Sequence, residues 1–145
     1  MLGEDKYDRI VVVICDMAEK VFIIEDDKFL IKILSRKLEE EGFTVFQASE
    51  GNEALRRVIE EKPDIILLDL ILPGKNGFEI LTEVMRHEDM QKTPVIILSN
   101  LGQIADIERG LALGAKDYII KTDLNLNDIS EKIKEQIVKS KMKNA

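Results

Sequence analysis

Cysteine is almost missing from this chain, with Cys15 the only one. An internal disulfide framework is therefore excluded, and a reducing compartment fits. Histidine is as scarce, His87 standing alone, so the chain offers no His/Cys cluster of the kind that binds zinc. Excess positive charge is also lacking. Asp and Glu number 28 against 21 Lys and Arg, a net charge of −7. That is the opposite of the basic footprint of a nucleic-acid-binding surface. No apolar run approaches the ~20 residues that a membrane helix needs. The amino terminus, with Glu4, Asp5 and Asp8, lacks the basic start of a signal peptide. A cytoplasmic protein with no membrane insertion is expected. Internal repeats and low-complexity linkers are absent too.

The 145 residues that are there, 45% hydrophobic and 34% charged, suit one soluble domain with one core. The most telling stretch is Ile65-Ile66-Leu67-Leu68-Asp69. Four apolar residues with no polar alternation predict a strand covered on both faces, as in a parallel sheet. Asp69 then stands where the strand leaves the sheet, the edge at which ligand sites of open α/β folds collect.

Two apolar runs compete for the first strand, Ile10–Cys15 and Val21–Ile24. The second leads into an acidic cluster and a helix, so it is taken as the first strand. Helical periodicity predicts helices over about 28–41, 51–62, 77–87, 103–113 and 126–141, and strands over about 43–48, 65–68, 94–98 and 117–120. Leu30, Ile33, Leu34 and Leu38 should face inward on the first helix, Leu55, Val58 and Ile59 on the second. Phe78, Leu81, Val84 and Met85 should do so on the third, and Ile129, Ile133 and Ile137 on the fifth. Five strand–helix alternations imply a parallel sheet with helices on both faces. The expected fold is α/β and flavodoxin-like: a doubly wound five-stranded parallel sheet of order 2-1-3-4-5 with five helices.

In that fold four strands end in polar groups at one sheet edge. The first brings Glu25 and Asp26, the third Asp69, the fourth Ser99 and the fifth Lys121. Crowded carboxylates need a cation. A donor set of hard oxygens suits Mg²⁺ rather than Zn²⁺. The chemistry suggested is phosphoryl transfer onto a carboxylate to give an aspartyl phosphate, a reaction that needs positioning and charge neutralisation. Asp27 reads as a helix cap. His87 reads as surface decoration, Cys15 as a packed strand residue, and the lysines of 132–143 as a solvated helix face.

From Lys20 to about Lys139 the chain resembles the receiver domain of a two-component response regulator. The resemblance is carried by Val21-Phe22-Ile23-Ile24-Glu25-Asp26-Asp27, Ile66-Leu67-Leu68-Asp69-Leu70-Ile71-Leu72-Pro73-Gly74, Val95-Ile96-Ile97-Leu98-Ser99 and Asp117-Tyr118-Ile119-Ile120-Lys121. It implies a stand-alone receiver over 20–145, preceded by an extension over 1–19. It implies that Asp69 is the phosphoacceptor. Asp26 and Asp69, with the backbone carbonyl of Ile71, would ligate Mg²⁺, and Glu25 would hold a metal-bound water. Lys121 would pair with Asp69 or a phosphoryl oxygen, Ser99 would bond a phosphoryl oxygen, and Tyr118 would be the switch aromatic. The implied donor is a sensor histidine kinase or phosphotransfer protein, and the implied output is binding to a downstream protein target, because no length remains for an output domain.

Three departures stand out. Thr122 replaces the proline that usually follows the lysine in a cis peptide, and cis costs ~2.5–4 kcal/mol before a non-proline residue, which favours trans and a different loop. Asn100 follows Ser99 where a small residue is usual, and Ile71 is apolar two positions beyond Asp69. Altered autodephosphorylation is expected from the last two. Two other readings are a receiver-like module that is never phosphorylated and a phosphatase with Asp69 as nucleophile, although Ile71 stands where such a phosphatase needs a second aspartate. The apolar run Ile10–Ile14 is expected to pack on the domain or across a homodimer.

Overall fold

The computed structural model describes residues 18–143. Its elements alternate as β1 (Lys20–Ile24), α1 (Lys28–Glu40), β2 (Thr44–Ala48), α2 (Gly51–Glu61), β3 (Ile65–Leu68), α3 (Gly77–Arg86), β4 (Val95–Ser99), α4 (Ile104–Ala112), β5 (Asp117–Ile120) and α5 (Leu126–Lys143). Short 3₁₀ turns cover Glu88–Met90 and Lys121–Asp123. The five strands form one sheet of order β2-β1-β3-β4-β5. Every pairing is parallel, with Ile24 beside Leu68 and Leu68 beside Ile97. This is the flavodoxin-like sheet expected from the alternation. Of the two competing runs, the second is β1; Ile10–Cys15, like the rest of the 1–17 stretch, lies outside the described residues. No described helix is long and apolar enough to cross a membrane.

Period-two geometry divides the strand side chains between two cores. Val21, Ile23, Ile65, Leu67, Ile96 and Leu98 point to the layer that holds α1 and α5. Phe22, Ile24, Ile66, Leu68, Val95 and Ile97 point to the layer of α2 and α3, with Leu113 and Tyr118 packed against it. Each buried Leu or Ile contributes about 1.5–3 kcal/mol of transfer free energy. Ile129, Ile133 and Ile137 of α5 are buried as expected. On the other helices the buried set differs in part. Ile31, Ala54 and Ile80 are buried, while Ile33, Leu55, Ile59 and Met85 are half-buried. The reason is helix rotation: α1 and α2 flank the β2 edge, so their outer apolar residues reach only the sheet margin, while on α3 Ile80 turns inward and Met85 lies against Gly114.

The helix starts have chemical causes. The carboxylate of Asp27 accepts the Phe29 and Leu30 N–H groups, Glu50 accepts those of Asn52 and Glu53, and Asn76 those of Phe78 and Glu79. Each such cap is worth about 1 kcal/mol. Gly42 and Gly114 end α1 and α4 at φ of 95° and 115°, a left-handed region cheap only for glycine.

Candidate functional site

The sheet directs three central strands to one edge, and there the apolar runs stop. β1 is followed by Glu25, 2% exposed, and β3 by Asp69, 4% exposed, while β4 ends in the fully buried Ser99. Burying two carboxylates is costly without a partner. The partner is Lys121, the first residue after β5. Its Nζ lies 3.0 Å from Asp69 Oδ2 and donates to it, and it donates to Glu25 Oε1 at 2.9 Å. Glu25 Oε2 is ion-paired with the same ammonium at 2.8 Å.

The main chain fixes the acids further. The Asp27 N–H donates to Glu25 Oε1 at 3.0 Å. The Ile71 N–H donates to Asp69 Oδ1 at 3.3 Å, and the Asp69 N–H donates to the Ile24 carbonyl at 2.9 Å. Burial raises the carboxyl pKa of Glu25 above its ordinary value; its bonds to Lys121 and Asp27 oppose the rise, and the charge of Asp69 adds to it. For Lys121, burial alone pulls the ammonium pKa down, but the hydrogen bonds to Glu25 and Asp69 outweigh it and the net shift is upward.

Asp26 is exposed at the rim. One carboxylate oxygen from each of Glu25, Asp26 and Asp69 lies within 4.8 Å of the others. An all-oxygen donor set this close fits a hard divalent cation such as Mg²⁺. Ile71 turns its side chain outward, 59% exposed, at the mouth of the site. Asn100 is exposed beside Ser99. The Ser99 Oγ accepts the Leu101 N–H at 3.3 Å. Tyr118, half-buried, donates its hydroxyl to the Leu101 carbonyl. Burial, then the charge of Asp106, raises its pKa. The described residues contain no cis peptide bond, so Lys121–Thr122 is trans, and Lys121 opens a 3₁₀ turn.

Glycines that sequence reasoning passed over shape the site. A Cβ on Gly77 would fall 2.4 Å from the Asp69 carbonyl oxygen and 2.5 Å from Leu70 Cα, so only glycine lets α3 start against the backbone of the acid. A Cβ on Gly110 would meet Ile97 at 2.5 Å and the Tyr118 ring at 3.3 Å, which seats α4 on that ring. Arg109 stacks over Phe78, 4.0 Å from the ring centre. None of these contacts has a local sequence signal, because each joins segments distant in the chain.

Residues 21–134 match the family model of the response regulator receiver domain. The chain belongs to that family. Solved receivers agree with its fold. A CheY-like response regulator receiver domain protein from Methanospirillum hungatei is 26% identical, with 87% of this chain and 98% of that one covered at a TM-score of 0.81. The receiver domain of a Francisella response regulator is 29% identical, with 84% and 98% covered at a TM-score of 0.77. The signal receiver domain of a signal transduction histidine kinase from Syntrophus aciditrophicus is 28% identical, with 83% and 91% covered at a TM-score of 0.76. A receiver domain is consistent with phosphorelay signalling, and in this receiver the acidic group that can hold a metal lies on the strand ends that face Lys121.

Proposed function

We propose that this receiver, taken as residues 20–145, is a phosphorylation-dependent switch whose acceptor is Asp69. The observation that carries the reading is the setting of that one side chain. Asp69 is 4% exposed, held by the Ile71 N–H on one oxygen and by the Lys121 ammonium at 3.0 Å on the other. A carboxylate so fixed is aimed rather than merely neutralised. An Asp69 oxygen attacks the phosphorus of a phosphohistidine on a sensor kinase or phosphotransfer protein. The new bond is P–O, the P–N bond breaks, and its electron pair returns to the imidazole of the donor. Lys121 then pairs with a phosphoryl oxygen, and the Ser99 hydroxyl donates to another.

Asp26, Asp69 and the Ile71 carbonyl would hold Mg²⁺, with Glu25 ordering water beside it. When bound, the ion supplies charge neutralisation between carboxylate and phosphoryl oxygens. The chain turns over no external substrate in this reading. Its cytoplasmic output is binding to a downstream protein, reported through Tyr118, which bridges the Ser99 end of β4 to α4.

The double engagement of Lys121 with Glu25 and Asp69 favours one other reading, a receiver-like module held closed and never phosphorylated. One experiment separates them. The protein is incubated with Mg²⁺ and acetyl phosphate and weighed intact by mass spectrometry. A single phosphoryl adduct, missing in Asp69→Asn, is expected. If no adduct forms and beryllofluoride changes no amide signal, the unphosphorylated module is the correct reading.

A further inference from the structure

The groove beside β2, far larger than the cavities near β4 and β5, is not used by the phosphoryl chemistry. It encloses about 770 Å³, within the ~300–1,000 Å³ range of ligand-binding clefts. Its floor is the end of the outer strand, Gln47 and Ala48, with Ser49 after them. Among the described residues β2 pairs only with β1. The Thr44 N–H donates to the Glu19 carbonyl, and the Ala48 carbonyl accepts from the Glu25 N–H. Parallel pairing alternates, so Thr44, Phe46 and Ala48 serve β1, while the main-chain groups of Val45 and Gln47 point away from β1, Gln47 lining the groove and Val45 lying just beyond its lining along the same edge. The Arg57 guanidinium occupies the Gln47 carbonyl, which confirms that direction. Among the described residues, nothing bonds the Val45 N–H and carbonyl or the Gln47 N–H.

The α1 wall is cationic in a protein of net charge −7. Lys28, Lys32 and Arg36 line the groove at four-residue spacing, where like charges repel. Among the described residues the ion pairs of α1 and α2 use Lys37, Arg56 and Arg57, not these three. The acids Glu39 and Glu40 stand at the far end of the wall, and Glu53 is paired with Arg57 at 3.9 Å. Ser35, which also lines the groove, has a buried hydroxyl oxygen with no hydrogen-bond partner.

We propose that this groove binds an extended acidic peptide segment of a partner protein, which adds to β2 as a sixth strand. Main-chain bonds to Val45 and Gln47 give the pairing. Alternate side chains, the ones that face α1, are Asp or Glu and meet Lys28, Lys32 and Arg36. Strand addition of this kind takes its affinity from the backbone and its selectivity from every second side chain. An oligoanion without a strand-forming backbone would meet the charges and leave the sheet edge unpaired.

The inference is independent of phosphorylation and is tested on the unmodified protein. The probe is an acetylated, amidated hexapeptide of alternating Glu and Val, titrated at low salt against amide NMR spectra. Expected are shifts at 45–47 and along 28–36, with slowed exchange of the Val45 and Gln47 amides. Gln47→Pro removes an outward N–H without touching the ladder to β1 and should weaken binding roughly fivefold, as loss of one hydrogen bond predicts. The double variant Lys32→Glu/Arg36→Glu should weaken it roughly tenfold through two reversed charges. The proposal is overturned if the wild-type spectrum does not respond, if a glutamate peptide interrupted by prolines binds equally well, or if neither variant weakens binding.

Discussion

The two sides of the site are built differently. Glu25, Asp69 and Ser99 hang from β1, β3 and β4, whose apolar residues are almost all shut from solvent on both faces. Tyr118 and Lys121 come from β5 and the turn after it, where all four strand residues are only half-buried. The acids therefore sit on the part of the molecule that opens least, and their counter-ion on a part that opens more readily. The proposed switch would therefore move its cation and its aromatic ring, and keep Asp69 in place.

The comparison is broken most completely by Asp69→Asn, which should leave no phosphoryl adduct by intact mass. Gly77→Ala attacks the fixed side. Its Cβ would lie 2.4 Å from backbone oxygen, which cannot rotate away, so a loss of about 1–3 kcal/mol is expected from overpacking, measured by urea unfolding. The same variant should phosphorylate more slowly, since the displaced atom belongs to Asp69.

Lys121→Met attacks the movable side. It leaves two buried carboxylates without their ammonium, for an expected loss of about 1–3 kcal/mol at neutral pH. The deficit should shrink as the pH falls through the carboxyl range, because protonated acids need no counter-ion. In the wild type Lys121 has a raised pKa. Its stabilisation is whole below the unfolded value of ~10.4 and is lost as the pH climbs through the higher folded value. Glu25, also raised, opposes folding as the pH rises from its ordinary value through the folded one. The alkaline part of the stability profile should therefore flatten in Lys121→Met. If it keeps the wild-type slope, the ion pair is not the source.

Smaller effects sharpen the contrast at the mouth. Ile71→Asn exchanges an exposed apolar side chain for one that can hydrogen-bond water, and a shorter phosphoryl lifetime is expected; Asn100→Ala should change the lifetime as well. If neither lifetime moves, these two side chains do not control water access. Tyr118→Phe is the mildest. It removes the bond to the Leu101 carbonyl, costs about 1 kcal/mol or less, and should leave adduct formation intact while reducing the amide shifts of α4 that accompany it.

Much of this was legible in the chain because strand ends are local. An unbroken run such as Ile65–Leu68 declares a two-faced strand, and the charge after it declares the edge. Asp27 as a cap and Ile129, Ile133 and Ile137 as an inward stripe are local in the same sense. Ile31, Ala54 and Ile80 escaped because their burial depends on how each helix is rotated over the sheet, and at Ala54 periodicity also favours the bulkier Leu55. Met90 is fully buried from a turn of three residues, too short to have a period. Gly77 and Gly110 were silent for a different reason: what they permit is an approach between segments, and a sequence records no distances. Thr122 stands where the family usually has proline after the lysine, yet the ammonium still reaches both acids from a 3₁₀ turn.

The span of that last contact has a consequence for synthesis. Lys121 lies 52 residues beyond Asp69 and 96 beyond Glu25. Translation delivers the carboxylates first, and a domain folds as a unit. A nascent chain that has emerged only through β4 carries both acids with nothing between them, and the repulsion resists closing that edge. The ammonium arrives with β5. The centre thus stays unfinished until the fifth strand has left the ribosome, and a truncated product has its acids without the cation that completes them.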